Sequence, residues 1–182
     1  MVRLHKYFLA YFETFSVHTA ETLFLLVLLI LALESAHSIR FLYQHFLAGI
    51  TEKSLNTFYH ACSYAKADYS RFMNVTAKIA LHLIPEQFKS QTVFLCIDDT
   101  MISQFGTKFE NVSKLFDHAA HNGCNYLNGH CFVSLMLCVP VWNHDKIAHL
   151  AVPLGYRMWQ KKESNLELAV SMVRQVMPEF SS

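Results

Sequence analysis

Nine residues constrain this chain more than any others: Thr92-Val93-Phe94-Leu95-Cys96-Ile97-Asp98-Asp99-Thr100. An apolar run, rich in β-branched and aromatic side chains, gives way at once to two carboxylates and a hydroxyl. Such a run reads as a buried strand that ends at the acids. Carboxylates at the end of a buried strand are held rigidly at a cleft, where a divalent cation neutralises them. A plainer reading stands beside this one, because Asp and Thr also satisfy backbone donors where a strand turns.

Everything before this run reads as helical. Leu4, Phe8, Tyr11, Phe12 and Phe15 recur at helical spacing within residues 1–18. Thr19 with Thr22 opens a second helix that runs through a Leu-rich stretch to about Ser35. A third helix is expected from Ser38 to Ala48, stopped by Gly49, and a fourth from a Thr51 cap, with Leu55, Phe58, Tyr59 and Cys62 on one face. A fifth spans Ala67 to Leu83 and closes before Pro85. The pair around Gly49-Ile50-Thr51 has the outline of a helix-turn-helix, an outline shared by many helix pairs that bind nothing. Residues 85–91 mark the expected boundary, giving a helical region over 1–85 and a second domain over 90–182.

Beyond Asp99, residues 101–129 show no clear periodicity and read as a long insertion. Cys131 to Val139 is a second buried strand, Trp142-Asn143-His144-Asp145 a turn, and Ile147 to Val152 a third strand, so these two form a hairpin. Pro153-Leu154-Gly155-Tyr156 ends it. Ser164 and Glu167 make a capping box that opens a helix with Leu166, Ala169, Val170, Val173, Val176 and Met177 on one face. The expected class is α+β.

Apolar residues make up 53% of the chain, which obliges a test of the membrane reading. The continuous apolar run is Leu23 to Leu33, bracketed by Glu21 and Glu34. A span needs roughly 20 residues, so this run reads as a buried helix rather than an anchor. Five cysteines without a CxxC pair give no disulfide framework, which fits a reducing cytoplasm. With 15 Lys+Arg against 14 Asp+Glu, any nucleic-acid contact must come from a local patch.

Four stretches together carry a family resemblance. They are Val93 to Thr100, Asn128-Gly129-His130-Cys131-Phe132-Val133, Pro153-Leu154-Gly155-Tyr156, and Lys162-Glu163-Ser164-Asn165-Leu166-Glu167-Leu168-Ala169. In this order and spacing the chain resembles the N-terminal part of a DDE-type transposase of bacterial insertion sequences, an RNase H-like DDE endonuclease. The resemblance implies an incomplete RNase H-like core: strand, insertion, two-strand hairpin, helix. It implies DNA transposition as the activity, with Mg²⁺ or Mn²⁺ as cofactor, and insertion-sequence DNA or another transposase chain as partner. The first catalytic Asp of such enzymes is followed by x-Thr. That pattern maps onto Asp98 as metal ligand with Thr100 in support, and Asp99 stands as the alternative because a one-residue register slip in a strand swaps faces. The family's second Asp and its Glu have no match here, so the chain reads as a truncated transposase, inactive in cleavage by itself.

Other groups have ligand chemistry. His118, His121, Cys124, His130 and Cys131 invite a zinc reading, but their spacing matches no standard structural pattern. Arg157, Lys161, Lys162 and Arg174 are candidates for DNA phosphate contacts, or else form a solvated face. Two rivals to transposition remain: a non-catalytic remnant that binds DNA or pairs with a transposase, and a small membrane-associated protein built on Leu23–Leu33.

Overall fold

The computed structural model describes residues 2–33, 38–66, 68–106, 109–116 and 125–180 of the chain. The chain divides into two compact units, Met1–Val75 and Thr76–Ser182. Both contain helix, and the second carries an antiparallel sheet, so the α+β class holds.

The first unit holds α1 (Val2–Phe12), α2 (Val17–Leu33), α3 (Ile39–His45), α4 (Leu55–Ser63) and the start of α5 (Tyr69–His82). α2, α3 and α4 begin where side chains satisfy orphan N–H groups. Ser16 Oγ accepts from the Thr19 N–H, Ser38 Oγ from Phe41 and Ser54 Oγ from Thr57. The caps are therefore Ser16 and Ser54 rather than the expected Thr19 and Thr51. α3 ends at His45 rather than at Ala48, and the chain then tightens into a 3₁₀ turn, Leu47–Gly49, that contains Ala48. Leu26, Leu42, Leu47 and Phe58 form the buried core here, with Leu23, Leu25 and Leu29 packed against it. The Leu-rich run is thus one wall of a helical core. No helix among the described residues is long and apolar enough to cross a membrane.

The second unit contains β1 (Phe94–Ser103), β2 (Ser113–Phe116), β3 (Tyr126–Asn143), β4 (Lys146–Met158) and α6 (Asn165–Val176). All pairings are antiparallel and all are made with β3. Gly129 faces both Ser103 of β1 and Ser113 of β2, so those strands take opposite edges of β3. β4 overlaps β1 along Phe132 to Cys138 and therefore shares the edge with β2. The expected hairpin is β3–β4, closed by Asn143↔Lys146 with His144 at φ 54°. It is longer than the apolar runs suggest. Pro153 lies inside β4 rather than at its end, beside a register shift opposite Leu135/Met136, where a missing N–H is tolerated.

Three expectations for this unit need correction. β1 does not stop at the acids; it continues to Ser103 and is an exposed edge strand, half-buried only at Leu95 and Met101. Among the described residues it pairs with β3 alone, so only one of its edges and part of one face are covered. The segment 101–129 is not all insertion, since it holds the end of β1, all of β2 and the start of β3. Finally, α6 buries Leu168, Ala169, Met172 and Val176, while Leu166 is 73% exposed. The helix is rotated from the expected face because Leu168 and Met172, one turn apart, offer the larger inward pair.

β3 sets the two faces of the sheet. Cys131, Val133, Leu135, Leu137 and Val139 are buried, whereas Phe132, Ser134, Met136 and Cys138 are half-buried. This period of two is that of a sheet covered on one side. Arg157, opposite Val133, ties the covered face to α6 by donating from Nη1 to Ser171 Oγ at 3.0 Å and from Nη2 to Gln175 Oε1.

Candidate functional site

The same alternation decides where each acid of β1 points. Asp99 pairs with Val133, so it lies on the α6 side; Asp98 pairs with Ser134, so it lies on the open face with Thr100. Two adjacent strand residues cannot share a face. Asp98 Oδ1 accepts the backbone N–H of Asp99 at 2.9 Å, a local use of the carboxylate. Ser134 Oγ donates to the Asp98 carbonyl oxygen at 3.1 Å.

Asp99 instead meets the N-terminus of α6. Asn165 Nδ2 donates to Asp99 Oδ2 at 2.9 Å and lies 3.3 Å from Cys131 Sγ. Asn165 is the first residue of the helix, and two devices fix it there. The capping box holds the first turn: Glu167 N donates to Ser164 Oγ, and Ser164 N donates back to Glu167 Oε2 at 2.7 Å. Upstream, the Trp159 N–H donates to the Cys131 carbonyl at 2.8 Å and its indole Nε1 to the Glu163 carbonyl at 2.5 Å. The chain leaving β4 is thereby pinned to β3 before the helix starts.

A cavity of about 540 Å³ opens at this junction, lined by Asp99, Met101, Leu115, Cys131, Trp159 and Asn165 among others. Asn165 Oδ1 is a buried oxygen with no hydrogen-bond partner among the described residues. A buried acceptor left in that state is costly, which makes it a docking point for a cation, a water or a ligand donor. Burial first, and then the negative charge of Asp99, push the Cys131 thiol up, against a lowering by the Asn165 hydrogen bond. A thiol shifted in that direction has less thiolate character than a free cysteine. The hydrogen bonds that Ser164 gives to Glu167 hold that carboxyl below the usual range.

Asp99 and Asn165 offer oxygen donors, the type that Mg²⁺ and Mn²⁺ prefer. They supply one carboxylate and one amide oxygen. No group of three or more His, Cys, Asp or Glu converges anywhere among the described residues. The zinc candidates divide accordingly. His118, His121 and Cys124 lie outside the described residues, while His130 and Cys131 point to opposite faces of β3, with His130 Nε2 2.7 Å from the Glu110 carbonyl oxygen.

The DNA-contact candidates also separate. Arg157 is committed to α6, as described above. Lys161 and Lys162 are exposed, Lys161 at φ 64° with Nζ 3.4 Å from the Val112 carbonyl oxygen. Arg174, in the last turn of α6, is exposed. In the sequence, Asn165 stands only inside the Lys162–Ala169 stretch and carries no assigned role. Its signal was there, as the residue just after the cap of a helix that follows a β-hairpin, but only the pairing register shows that it reaches β1. The chain matches no family model, no curated protein and no solved structure.

Proposed function

We propose that this chain is part of a DDE-type transposase, with Asp99 rather than Asp98 as the carboxylate of its metal site. One observation carries the choice of residue: Asp99 faces α6 and lines the cavity, whereas Asp98 faces away. The order of the sheet supports the family reading. An acid-bearing strand pairs antiparallel with a hairpin strand, the hairpin closes, and a capped helix packs on one face, which is the sequence of elements the resemblance implies for an RNase H-like core.

In this reading Asp99 and Asn165 Oδ1 would hold Mg²⁺ or Mn²⁺. When bound, such an ion polarises a phosphodiester and stabilises charge on the attacking and leaving oxygens. Asn165 orients the carboxylate by donating to Oδ2, and the capping box keeps Asn165 in place. Lys161 and Lys162 supply positive charge for phosphate contact on the segment leading into α6. Because two-metal chemistry needs several converging carboxylates, the chain by itself binds a metal weakly and does not cut DNA. Its remaining partners are insertion-sequence DNA and a complete transposase chain.

Reading the genomic DNA beyond codon 182 tests this. The proposal expects, in some frame, an apolar strand ending in Asp and then a helix bearing Glu. Coding sequence without those two features removes the three-carboxylate mechanism. A pairing role is the second reading, favoured because Asp99 is the one carboxylate lining the cavity among the described residues. Its test is a mixing assay, in which the chain lowers strand transfer by a complete relative only if it joins that assembly.

A further inference from the structure

The open face of the sheet carries a second chemical group, independent of Asp99. Cys96 of β1 and Cys138 of β3 place their sulfurs 3.6 Å apart. Cys96 is exposed and Cys138 half-buried, so both are reachable from solvent. In register, Cys96 sits directly opposite Met136, and Met136 and Cys138 are two residues apart on the same face of β3. Two thiols and a thioether therefore occupy one patch. From the geometry and the ligand type, we propose that Cys96, Cys138 and Met136 form a binding site for a thiophilic monovalent cation of the Cu(I) class.

The separation of the thiols argues for a bridged pair over a bonded one. A disulfide needs about 2.05 Å between sulfurs and a Cα separation usually near 4.4–6.8 Å. Cys96 and Cys138 are diagonal neighbours rather than a directly opposed pair, and diagonal Cα atoms in antiparallel sheets lie about 7–8 Å apart. A cation at a thiolate bond length of about 2.3 Å spans sulfurs up to about 4.6 Å apart, which takes in the observed separation without moving the backbone. Thioether and thiolate together select Cu(I) over harder ions. Zinc is disfavoured, because it takes four ligands from Cys, His and carboxylates, and no third such residue joins the pair among the described residues. Binding is a ligand exchange without electron transfer: each thiol gives its proton to solvent as its sulfur–copper bond forms, and the competitor that delivered Cu(I) is released.

The test uses the reduced full chain under anaerobic conditions, with Cu(I) presented as its bicinchoninate complex and bound metal read by loss of the complex's colour. The wild type withdraws about one equivalent, C62S matches it, and X-ray absorption shows sulfur-only coordination. C96S and C138S lose that equivalent, while M136L weakens it by about tenfold, or 1.4 kcal/mol. Because Cys96 is exposed, C96S leaves the fold intact by circular dichroism and carries the test even where C138S does not fold. Withdrawal by C96S equal to wild type overturns the proposal. So does a spectrum dominated by nitrogen or oxygen ligands, or recovery of Cys96 and Cys138 as a disulfide in place of bound copper.

Discussion

Removing the Arg157 side chain distinguishes a structural role from a DNA-binding one. Arg157 stands on β4 and spans to α6, where its two terminal nitrogens bond Ser171 Oγ and Gln175 Oε1. Hydrogen bonds to a charged group contribute about 1.5–3 kcal/mol each when buried. This guanidinium is only half-buried, so the lower end applies and the two acceptors, once vacated, are partly rehydrated. Arg157→Met keeps the apolar stem and deletes both bonds, for an expected loss of about 2 kcal/mol. In urea, with a slope of about 2 kcal/mol/M for a domain this size, the midpoint falls by about 1 M. Removing the acceptors together (Ser171→Ala with Gln175→Ala) in the Arg157→Met background adds little, since the coupling is already gone. An unchanged midpoint accompanied by weaker DNA binding would refute the reasoning and return Arg157 to the DNA-facing surface.

Three further outcomes follow from the packing. Gly129→Ala destabilises the second unit by about 1–3 kcal/mol in urea unfolding, because its Cβ would lie 2.2 Å from the backbone oxygen of Ile102 on β1. Phe58→Ala removes a fully buried ring from the helical core and costs about 3–5 kcal/mol, read as a lower midpoint for loss of helical signal. The Glu167 carboxyl, held below its usual range by the Ser164 hydrogen bonds, contributes stability that is present above the ordinary Glu range and disappears as pH falls through the lowered value. Ser164→Ala therefore narrows the gap between neutral and acid stability, measured as unfolding midpoint against pH, and a gap equal to wild type contradicts the role given to the capping box.

Local rules made part of this fold legible. The Ser164–Glu167 box depends only on residues three apart, and the β3–β4 turn only on a short polar break between apolar runs, so both could be read directly. Leu23 to Leu33 could be read as a helix that contributes to the core, through Leu26 with Leu23, Leu25 and Leu29 packed beside it, but Ile30 and Leu31 of the same run are exposed. What could not be read depends on topology. Whether Phe94 to Ile97 is central or at an edge is decided by which strands lie beside it, and at an edge the same residues stand half in solvent. β2 is four residues of mixed polarity and has no periodic signal of its own; β3 recruits it. The choice between Asp98 and Asp99 turns on register parity, which one residue of slip reverses. The contact of Asn165 with Asp99 joins residues 66 apart and follows from that same register.

The assignment of Asp99 is tested most directly by titrating the purified chain with Mn²⁺ and following free ion by electron paramagnetic resonance, in the wild type, Asp98→Asn and Asp99→Asn. The account predicts weak binding by the wild type, the same binding by Asp98→Asn, and none by Asp99→Asn. Binding that disappears in Asp98→Asn and survives in Asp99→Asn would move the site to the open face of the sheet and contradict the account.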